Sequence, residues 1–352
     1  MAGSVKNIVV GGGTGNIGRY LVSSLVKSGH NVSVISRRAV VLNKIMKTTR
    51  SSSSHFLPQS AISWKDIDRE GLPLDTDVVI NLSGRSIGNP GPWTNSLKKS
   101  IESSRIDTTK RLAKAIEKSE IPPKVFISAS AVGAYACDPD KIYTESDVPV
   151  IKGRETFFTD LCKKWEESSA VKEECNTRVV NPRFGVVLAY DTPPLTTLMP
   201  QTALTGATEV GTGDQPFPWV HMDDAVSAVN FMIENESVSG PVNVVGPQIV
   251  DNSQFTKALA DACMSCVLKN MPLPAFVVRL LYGTERADNI LLDSPKVQPQ
   301  TLLDMGFQFQ HQTIDTALKH VVSVLMESKD SGFDYSALKW ALERNKKRKN
   351  AQ

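Results

Sequence analysis

Short apolar runs alternate with longer amphipathic stretches along residues 5–250 of the chain. Several of these runs are rich in Val and Ile, which is typical of strands buried on both faces of a parallel sheet. Their alternation with helical patterns indicates repeated strand–helix–strand units, and hence an α/β fold with a doubly wound parallel sheet. The predicted strands are Val5–Val10, Asn31–Ser36, Ile62–Trp64, Val78–Asn81, Val125–Ser130, Arg178–Arg183 and Val242–Val245. The predicted helices are Ile17–Ser28, Thr94–Ser119, Phe157–Lys172, Met222–Glu234 and Asn252–Lys269.

Two segments depart from this rhythm. Ala39–Ser60 contains several basic residues and a run of four serines, and it predicts a long exposed loop over residues 39–60. Beyond residue 270 the strand–helix alternation stops, and prolines punctuate a mostly helical pattern. We therefore predict a main domain over residues 4–270, a small, mostly helical C-terminal lobe over 271–326, and a helix with a basic tail over 327–352.

Composition excludes several classes of protein. Of the 352 residues, 41% are hydrophobic and 22% are charged, which is ordinary for a globular chain and excludes a disordered, fibrous or coiled-coil protein. With 40 basic and 37 acidic residues, the net charge of +3 favours neither a nucleic acid nor a membrane surface as partner. No apolar run is long enough for a transmembrane helix, and no leader pattern precedes the first strand. We expect a cytoplasmic protein.

The cysteines agree with a reducing compartment, because they are scattered and odd in number. They are Cys137, Cys162, Cys175, Cys263 and Cys266. Cys263 and Cys266 form a Cys-x-x-Cys pair, but no second pair or His-rich segment accompanies it. We interpret these two as buried helix thiols and predict no metal site.

A glycine-rich segment links the first strand to the first helix. It contains Gly12-x-x-Gly15-x-x-Gly18, in register with a strand–helix–strand unit. In a dinucleotide-binding loop the first glycine permits a sharp turn, the second lets a pyrophosphate approach the backbone, and the third allows close helix packing. The free N–H groups of the helix then face the phosphates. The segment thus predicts a Rossmann-like domain, the alternative being a glycine-rich turn without ligand. The predicted cofactor-binding residues of this loop are Gly12, Thr14, Gly15, Asn16, Ile17 and Gly18.

The end of the second strand indicates which dinucleotide is bound. NAD-specific sites place an Asp or Glu there for the ribose 2′-hydroxyl, whereas this chain has Ser36, Arg37 and Arg38. Guanidinium groups bind phosphate with paired hydrogen bonds. These residues therefore favour NADP over NAD, unless the two arginines only begin a basic loop.

Several strings of residues resemble one protein family. Gly12–Gly18 together with Asn81-Leu82-Ser83-Gly84 resembles the extended short-chain dehydrogenase/reductases. A narrower resemblance is to their atypical "epimerase family" branch, NADP-dependent oxidoreductases with a small C-terminal domain of unknown function. It spans residues 5–325 and includes the strings Val34–Arg37, Ser104–Thr109, Trp165-Glu166, Gly185–Leu188, Phe217–Asp224 and Lys296–Gln300.

The resemblance implies contacts with NADP. Ser36 and Arg37 would hold the 2′-phosphate, and the turn that runs from Leu82 through Ser83 to Gly84 would pass the adenosine ribose. The resemblance implies two more contacts. Arg105 would approach the cofactor from the next helix, and Val187 would lie near the nicotinamide.

The catalytic residues of the wider family do not carry over. That family uses a Ser with a Tyr-x-x-x-Lys pair, in which the ammonium stabilises the phenolate. Aligning Glu166 with the family's helix Glu puts Phe158 at the Tyr position and Cys162 at the Lys position, so the pair is absent. Another Tyr-x-x-x-Lys, which begins at Tyr335, lies outside the predicted sheet and is a chance match.

The remaining candidates lie near the ends of predicted strands. Ser130 occupies the position of the family's Ser, and Tyr135 follows it, so these two are the predicted catalytic residues, although Tyr135 fits a packed strand end equally well. His221 and Asp223 fit either acid–base chemistry or a helix start. Arg183 would face an anionic substrate or an internal carboxylate, and Cys162 is interpreted as a core thiol.

We therefore expect an NADP-dependent oxidoreductase that acts on a small, still unknown carbonyl or alcohol. The missing Tyr/Lys pair leaves a second reading open, a catalytically silent NADP(H)-binding redox sensor. A nucleotide-sugar epimerase is a weaker alternative, since such enzymes normally keep the pair and hold NAD. The sequence leaves a homodimer possible.

Overall fold

A parallel sheet of eight strands forms the centre of the computed structural model, which describes residues 4–49, 57–87, 91–147, 156–206, 208–264, 272–327, 339, 340, 342–344 and 347. The strands of the described chain are β1 (Asn7–Gly11), β2 (Asn31–Ile35), β3 (Ser60–Ile62), β4 (Val78–Asn81), β5 (Val125–Ser128), β6 (Ser130–Ala131), β7 (Ile142–Tyr143), β8 (Arg178–Phe184), β9 (Val186–Leu188), β10 (Trp219–His221), β11 (Gly240–Val244) and β12 (Lys296–Val297). The central sheet has the order β11-β8-β5-β4-β1-β2-β3, with β6 paired to β8. This order, with β1 in the middle and crossovers to both sides, confirms the predicted doubly wound fold.

Helices cover both faces of the sheet. They are α1 (Asn16–Lys27), α2 (Ala39–Thr49), α3 (Trp64–Glu70), α4 (Asn95–Glu117), α5 (Phe157–Glu167), α6 (Leu195–Thr205), α7 (Met222–Glu234), α8 (Asn252–Ala262), α9 (Ala275–Tyr282), α10 (Thr284–Arg286), α11 (Gln300–Asp304) and α12 (Ile314–Glu327). Successive residues of β1 show the two layers. Val10 packs in the cluster that contains Leu21 of α1, whereas Val9 packs with Leu112 and Ile116 of α4.

The prediction of a loop over residues 39–60 is wrong, because α2 occupies Ala39–Thr49 and β3 begins at Ser60. Ala39 and Met46 are buried against the sheet. Asn43 fixes the helix to the edge strand, since its side-chain amide donates to the carbonyl of Ala61 at 2.8 Å and its oxygen accepts from the N–H of Ala61 at 2.9 Å. The serine run lies outside the described residues.

Other element boundaries shift for local reasons. Ile62–Trp64 was predicted as a strand, but Ser63 caps α3 through a reciprocal pair of hydrogen bonds with Asp66, and Trp64 is helical. The predicted strand Val125–Ser130 is interrupted between β5 and β6. The helices α5 and α8 end at Glu167 and Ala262, earlier than predicted.

The C-terminal segment is mostly helical, as predicted, and packs on the main domain at two places. Strand β12 pairs in parallel with β7, which places Val297 opposite Tyr143. Helix α12 packs against α8, with Leu318 and Val321 in one apolar cluster with Leu259. Across the described residues, no helix has the length and apolar character needed to cross a membrane.

Candidate cofactor site and adjoining cavity

The glycine loop is clamped between β4 and α1. Gly12 has a φ of +74°, and a Cβ there would lie 2.6 Å from the carbonyl of Leu82. A Cβ on Gly18 would lie 2.1 Å from the carbonyl oxygen of Gly12. Neither position accommodates a side chain, because real Cβ atoms do not approach backbone atoms so closely. Gly12 therefore makes the turn, and Gly18 lets the first helical turn of α1 pack on the loop itself.

Gly15 faces open space on the other side of the same loop. A Cβ there would have one neighbour within 4 Å, the carbonyl oxygen of Gly12 at 3.1 Å. Gly15 is the N-cap of α1 and offers no side chain to its N–H groups, and the first turn contains no acidic residue. Thr14, Gly15 and Asn16 are exposed, and Ile17 is half-buried. The free N–H groups and the positive end of the helix thus form an open cradle for an anion.

Two arginines lie at the carboxyl end of β2, beside this cradle. Ser36 follows the strand, and its hydroxyl accepts the N–H of Arg38 at 3.1 Å. Arg37 and Arg38 are exposed, and no carboxylate of the described chain forms an ion pair with either. Guanidinium groups that lack an internal partner are available to a ligand phosphate.

The turn after β4 rests on a third arginine. A Cβ on Gly84 would lie 3.0 Å from Cζ of Arg105, so a side chain there would press on the guanidinium group. Arg105 is only 9% exposed, donates to the carbonyl oxygens of Arg85 and Ile101, and stacks over Trp165 with Cζ 5.1 Å from the ring centre. Burial lowers the pKa of Arg105 to about 10. Within the described residues this buried cation has no carboxylate partner, which favours an anionic ligand beside it.

A buried polar network occupies the position of the expected catalytic centre. Glu166 of α5 accepts from both Nε and Nη2 of Arg183, each at 2.8 Å. Ser130 donates its hydroxyl proton to Oε1 of Glu166 at 2.6 Å. Arg183 of β8 lies opposite Ser130 of β6 in the sheet, which brings the three side chains together. Of the two partners left open for Arg183, the structure therefore contains the internal carboxylate.

Tyr135 belongs to the same network, which fits the packed position that the sequence left open for it beside a catalytic role. Its hydroxyl accepts from Nη1 of Arg183 at 2.8 Å, and its one proton has two internal acceptors, Oδ1 of Asn243 at 2.9 Å and the carbonyl of Thr144 at 3.0 Å. Burial raises the pKa of Tyr135, so the hydroxyl stays protonated. The side chain is 1% exposed and has no proton free for a substrate. Its geometry is that of a structural tyrosine.

The helix that would carry the Tyr/Lys pair packs tightly instead. A Cβ on Gly133 would lie 1.9 Å from Cδ1 of Phe158, so this ring lies directly on the backbone that follows β6. Cys162 is fully buried, and burial raises the pKa of its thiol to about 12. It is a core thiol, as predicted. Tyr335 lies outside the described residues.

A cavity of about 260 Å³ opens beside Phe158. One wall belongs to the main domain and the other to the C-terminal segment, where a single turn of π-helix spans Ala287–Leu291. Such turns are frequent at functional sites. The lining residues are Gly133, Tyr135, Ala136, Cys137, Thr156, Phe158, Thr159, Asp288, Asn289, Asp293 and Pro295. The cavity is large enough for a small substrate.

Val187 lies in β9, which pairs with β10 beyond the main sheet. It stands opposite Val220 and packs partly buried against the core. Next to it, the pairing of Leu188 with His221 leads directly into α7. This region therefore continues the edge of the fold at which a ligand binds in open α/β sheets.

His221 anchors the start of α7. Its Nδ1 accepts the N–H of Asp223 at 3.1 Å, which makes it the N-cap of the helix. Burial, together with the smaller effects of the neighbouring His311 and His320, lowers the pKa of His221 to about 3. His221 is therefore a neutral helix cap, the structural alternative left open by the sequence. Sequence reasoning missed the other two histidines, which carry no motif of their own.

The fold, the glycine cradle and the basic end of β2 define a dinucleotide-binding protein of the short-chain dehydrogenase/reductase type. The chain belongs to the NAD-dependent epimerase/dehydratase family, whose model matches residues 8–246. A second model, a domain of unknown function called DUF1731, matches residues 273–321. Both findings agree with the branch that the sequence resembles.

Relatives of the same branch match almost the whole chain. The mouse epimerase family protein SDR39U1 is 35% identical over 318 residues, covering 90% of this chain and 99% of its own. The epimerase family protein YfhF of Bacillus subtilis is 31% identical over 323 residues, covering 90% of this chain and 98% of its own. The crystal structure of human SDR39U1 (isoform 2) with NADPH has a TM-score of 0.78 and 31% identity, covering 90% of this chain and 99% of that one. A nucleoside-diphosphate sugar epimerase from Corynebacterium glutamicum, 23% identical with a TM-score of 0.66, covers 99% of this chain and 67% of that one and shares the fold alone.

Proposed function

We propose that this protein binds NADP(H) and is an oxidoreductase that acts on a small carbonyl or alcohol. The observation that carries the proposal is the open cradle at Gly15, flanked by the exposed guanidinium groups of Arg37 and Arg38. A related human protein of the same branch was crystallised with NADPH, which supports the same choice of cofactor.

Each part of the cofactor has matching residues. The N–H groups at the start of α1 fit the pyrophosphate, and Ser36, Arg37 and Arg38 fit the 2′-phosphate. The turn over Leu82, Ser83 and Gly84 fits the adenosine ribose, with Arg105 beneath it and Val187 toward the nicotinamide end. Bound NADPH would supply hydride, and the protein would orient and polarise the substrate.

The cavity beside Phe158 is the proposed substrate site. Its walls combine apolar groups with the side chains of Thr159, Asn289 and Asp293, a mixture that suits a small polar molecule with an apolar part. Of the two predicted catalytic residues, Ser130 remains the candidate, because a rotation of its hydroxyl away from Glu166 would free its proton for a substrate oxygen. Tyr135 would hold Arg183, and through it Glu166, in place.

A redox sensor is the second candidate, and one observation favours it. The hydroxyl protons of Ser130 and Tyr135 are both donated to internal acceptors, so neither of these two residues offers a substrate a free donor in this conformation. A sensor would bind NADPH and leave it intact. An epimerase is less well supported, because Phe158 and Cys162 stand where the proton-transfer pair of this fold is expected.

One experiment separates these functions. Purified full-length protein is incubated with NADPH and a panel of small aldehydes and ketones, and NADPH absorbance is followed. We expect consumption with at least one carbonyl class, and a loss of about 100-fold or more in kcat for Ser130→Ala, as for removal of a hydrogen-bond donor to a reacting oxygen. Tight NADPH binding without consumption across the panel would instead support the sensor.

A further inference from the structure

Three of the chain's five histidines converge at the junction of the main domain and the C-terminal segment. They are His221, which caps α7, His311, which precedes α12, and His320 within α12. The carboxylate of Asp223, in the first turn of α7, completes the cluster. One nitrogen or oxygen from each of the four side chains lies within 4.8 Å of all the others.

We propose that Asp223, His311 and His320 bind a divalent transition-metal ion, for which zinc is the best chemical match. Oδ2 of Asp223 lies 3.8 Å from Nε2 of His311 and 3.8 Å from Nδ1 of His320. Ligand atoms on a tetrahedral zinc ion are roughly 3.4 Å apart, given zinc–nitrogen bonds of about 2.0–2.1 Å. Movements of about 0.4 Å would bring the carboxylate of Asp223 to this spacing from each histidine, and the ligand atoms of the whole cluster already lie within 4.8 Å of one another.

The arrangement of the rings decides which histidines are ligands. Two imidazoles on one tetrahedral ion have ring centres roughly 5 Å apart, and those of His311 and His320 are 4.7 Å apart. His221 and His311 are only 3.8 Å apart, too close for both to bind the same ion. His221 also uses Nδ1 to cap α7, so its proton is on Nε2, which cannot bind a metal.

His221 nevertheless orients the site. Its Nε2 lies 3.1 Å from Nδ1 of His320 and donates to it in the metal-free chain. A metal on Nδ1 of His320 would take this lone pair, so the ring of His221 would have to shift and donate its Nε2 proton to a water ligand of the ion instead. Hydrogen bonds of this kind from neighbouring side chains orient metal ligands and tune affinity.

The charges and exposure of the ligands are suitable. The start of α7 is the positive end of a helix, which disfavours a cation, but Asp223 and Asp224 in its first turn oppose that effect. Asp224 also holds the backbone of residue 311 in place, because its carboxylate accepts the N–H of His311 at 3.0 Å. The side chains of Asp223 and His320 are 42% and 40% exposed, so an ion can enter from solvent.

A bound ion would connect the two regions that match different family models. Asp223 belongs to the region of residues 8–246, and His311 and His320 belong to that of residues 273–321. An ion that binds only the folded chain stabilises it, by an amount that grows with the logarithm of its affinity. The site would therefore fasten α12 and the segment before it to the start of α7.

Zinc titration of the chelator-treated full-length protein tests this proposal. With a chromophoric chelator as competitor, we expect one zinc ion per chain and a higher Tm in its presence. Asp223→Asn and His320→Ala should each weaken binding by more than about 100-fold, since loss of a ligand should exceed the 10–100-fold effect of its supporting partners. Asp315→Asn, in the first turn of α12, removes an exposed carboxylate outside the cluster and should leave zinc affinity unchanged.

Two further measurements keep the result clear. Metal-free D223N and H320A should still unfold cooperatively and retain the NADPH affinity of the metal-free wild type, which excludes unfolding as the cause of lost zinc binding. Cobalt in place of zinc should give the visible absorption bands of a four-coordinate site. Equal zinc affinity in the wild type and H320A, failure of the wild type to compete with the chelator, or absence of the cobalt bands would overturn the proposal. None of these outcomes depends on NADPH turnover.

Discussion

The carboxylate of Glu166 and the guanidinium of Arg183 form a two-point ion pair, with both N–O distances at 2.8 Å. The Arg183 side chain is 3% exposed and that of Glu166 is 18% exposed. The pair lies where catalytic side chains are expected in this fold, and it also binds the hydroxyls of Ser130 and Tyr135. Its integrity therefore affects both the stability of the chain and the geometry of the proposed site.

Removing the charge of Glu166 should destabilise the protein strongly. Glu166→Gln leaves the guanidinium of Arg183 buried without its counter-charge, and such changes cost about 3–5 kcal/mol. Urea denaturation measures this loss in the free energy of unfolding. The neighbouring Glu167 is exposed, and Glu167→Gln should stay within about 0.5 kcal/mol of wild type. Equal stabilities for E166Q and E167Q would contradict the structural importance of the pair.

Loss of the Tyr135 hydroxyl should affect stability more than turnover. Tyr135→Phe removes the hydroxyl that accepts from Arg183 and donates to Oδ1 of Asn243. Leaving a buried polar group unsatisfied costs about 1–3 kcal/mol. If carbonyl-dependent NADPH consumption is found, kcat for Y135F should remain within about tenfold of wild type, whereas Ser130→Ala should fall further. A variant Y135F with unchanged stability and abolished turnover would restore a catalytic role for the hydroxyl.

The arginines after β2 should determine the preference for NADPH over NADH. Arg37→Ala removes charge-assisted hydrogen bonds worth about 1.5–3 kcal/mol, which corresponds to roughly 10–100-fold in affinity for NADPH. NADH, which lacks the 2′-phosphate, should bind both proteins alike. Calorimetric titration checks this, with Lys319→Ala as the control because it removes an exposed cation on α12. A parallel loss for both nucleotides would mean that Arg37 does not contact the 2′-phosphate.

Two glycines of the same loop should respond differently to alanine. Gly18→Ala places a Cβ 2.1 Å from the carbonyl of Gly12 and should destabilise the fold, whereas at Gly15 the only close atom is 3.1 Å away. Overpacking typically costs about 1–3 kcal/mol. We expect Gly15→Ala to unfold near the wild-type Tm yet to bind NADPH weakly, because its methyl group projects into the cradle. Normal NADPH affinity in G15A would place the pyrophosphate elsewhere.

Alkylation should distinguish the cysteines. The pKa of Cys162 is raised to about 12 by burial, so at about pH 8 only about one part in 10⁴ is thiolate, the reactive form. Raising the pH toward that pKa increases this fraction, but the closed core still excludes the reagent. Cys175 is half-buried and should label in the native protein. Peptide mapping before and after unfolding checks the order, and native labelling of Cys162 ahead of Cys175 would show an opening of α5.

The sequence predicted those helices and strands whose bounds depend on neighbouring residues along the chain. The strand β4 over Val78–Asn81 and the helix α7 over Met222–Glu234 have the predicted bounds, because an apolar run and an acidic first turn are visible in sequence. The glycine loop was also predicted from the sequence, because the spacing of Gly12, Gly15 and Gly18 follows directly from the backbone contacts that each glycine makes. Helix α2 was missed because nearby serines and basic residues obscured the apolar positions Ala39 and Met46.

The polar network and the histidine cluster could not be read from the sequence in the same way. Ser130 meets Arg183 only through the register of β6 with β8. His221 and His320 are 99 positions apart, and nothing near either residue indicates the other. Such contacts depend on how distant elements pack, which no periodicity records.

The two walls of the cavity are synthesised at different times, because they come from distant parts of the chain. Gly133 and Phe158 on one wall are made well before Asp288 and Pro295 on the other, and domains generally form as the chain emerges from the ribosome. All residues assigned to NADP, up to Val187, therefore also precede the second wall of the cavity in the order of synthesis. A chain released before Asp288 lacks one wall of the cavity and also Phe307 and Phe309 of the main apolar core, so C-terminal truncation should open the cavity and lower the Tm together.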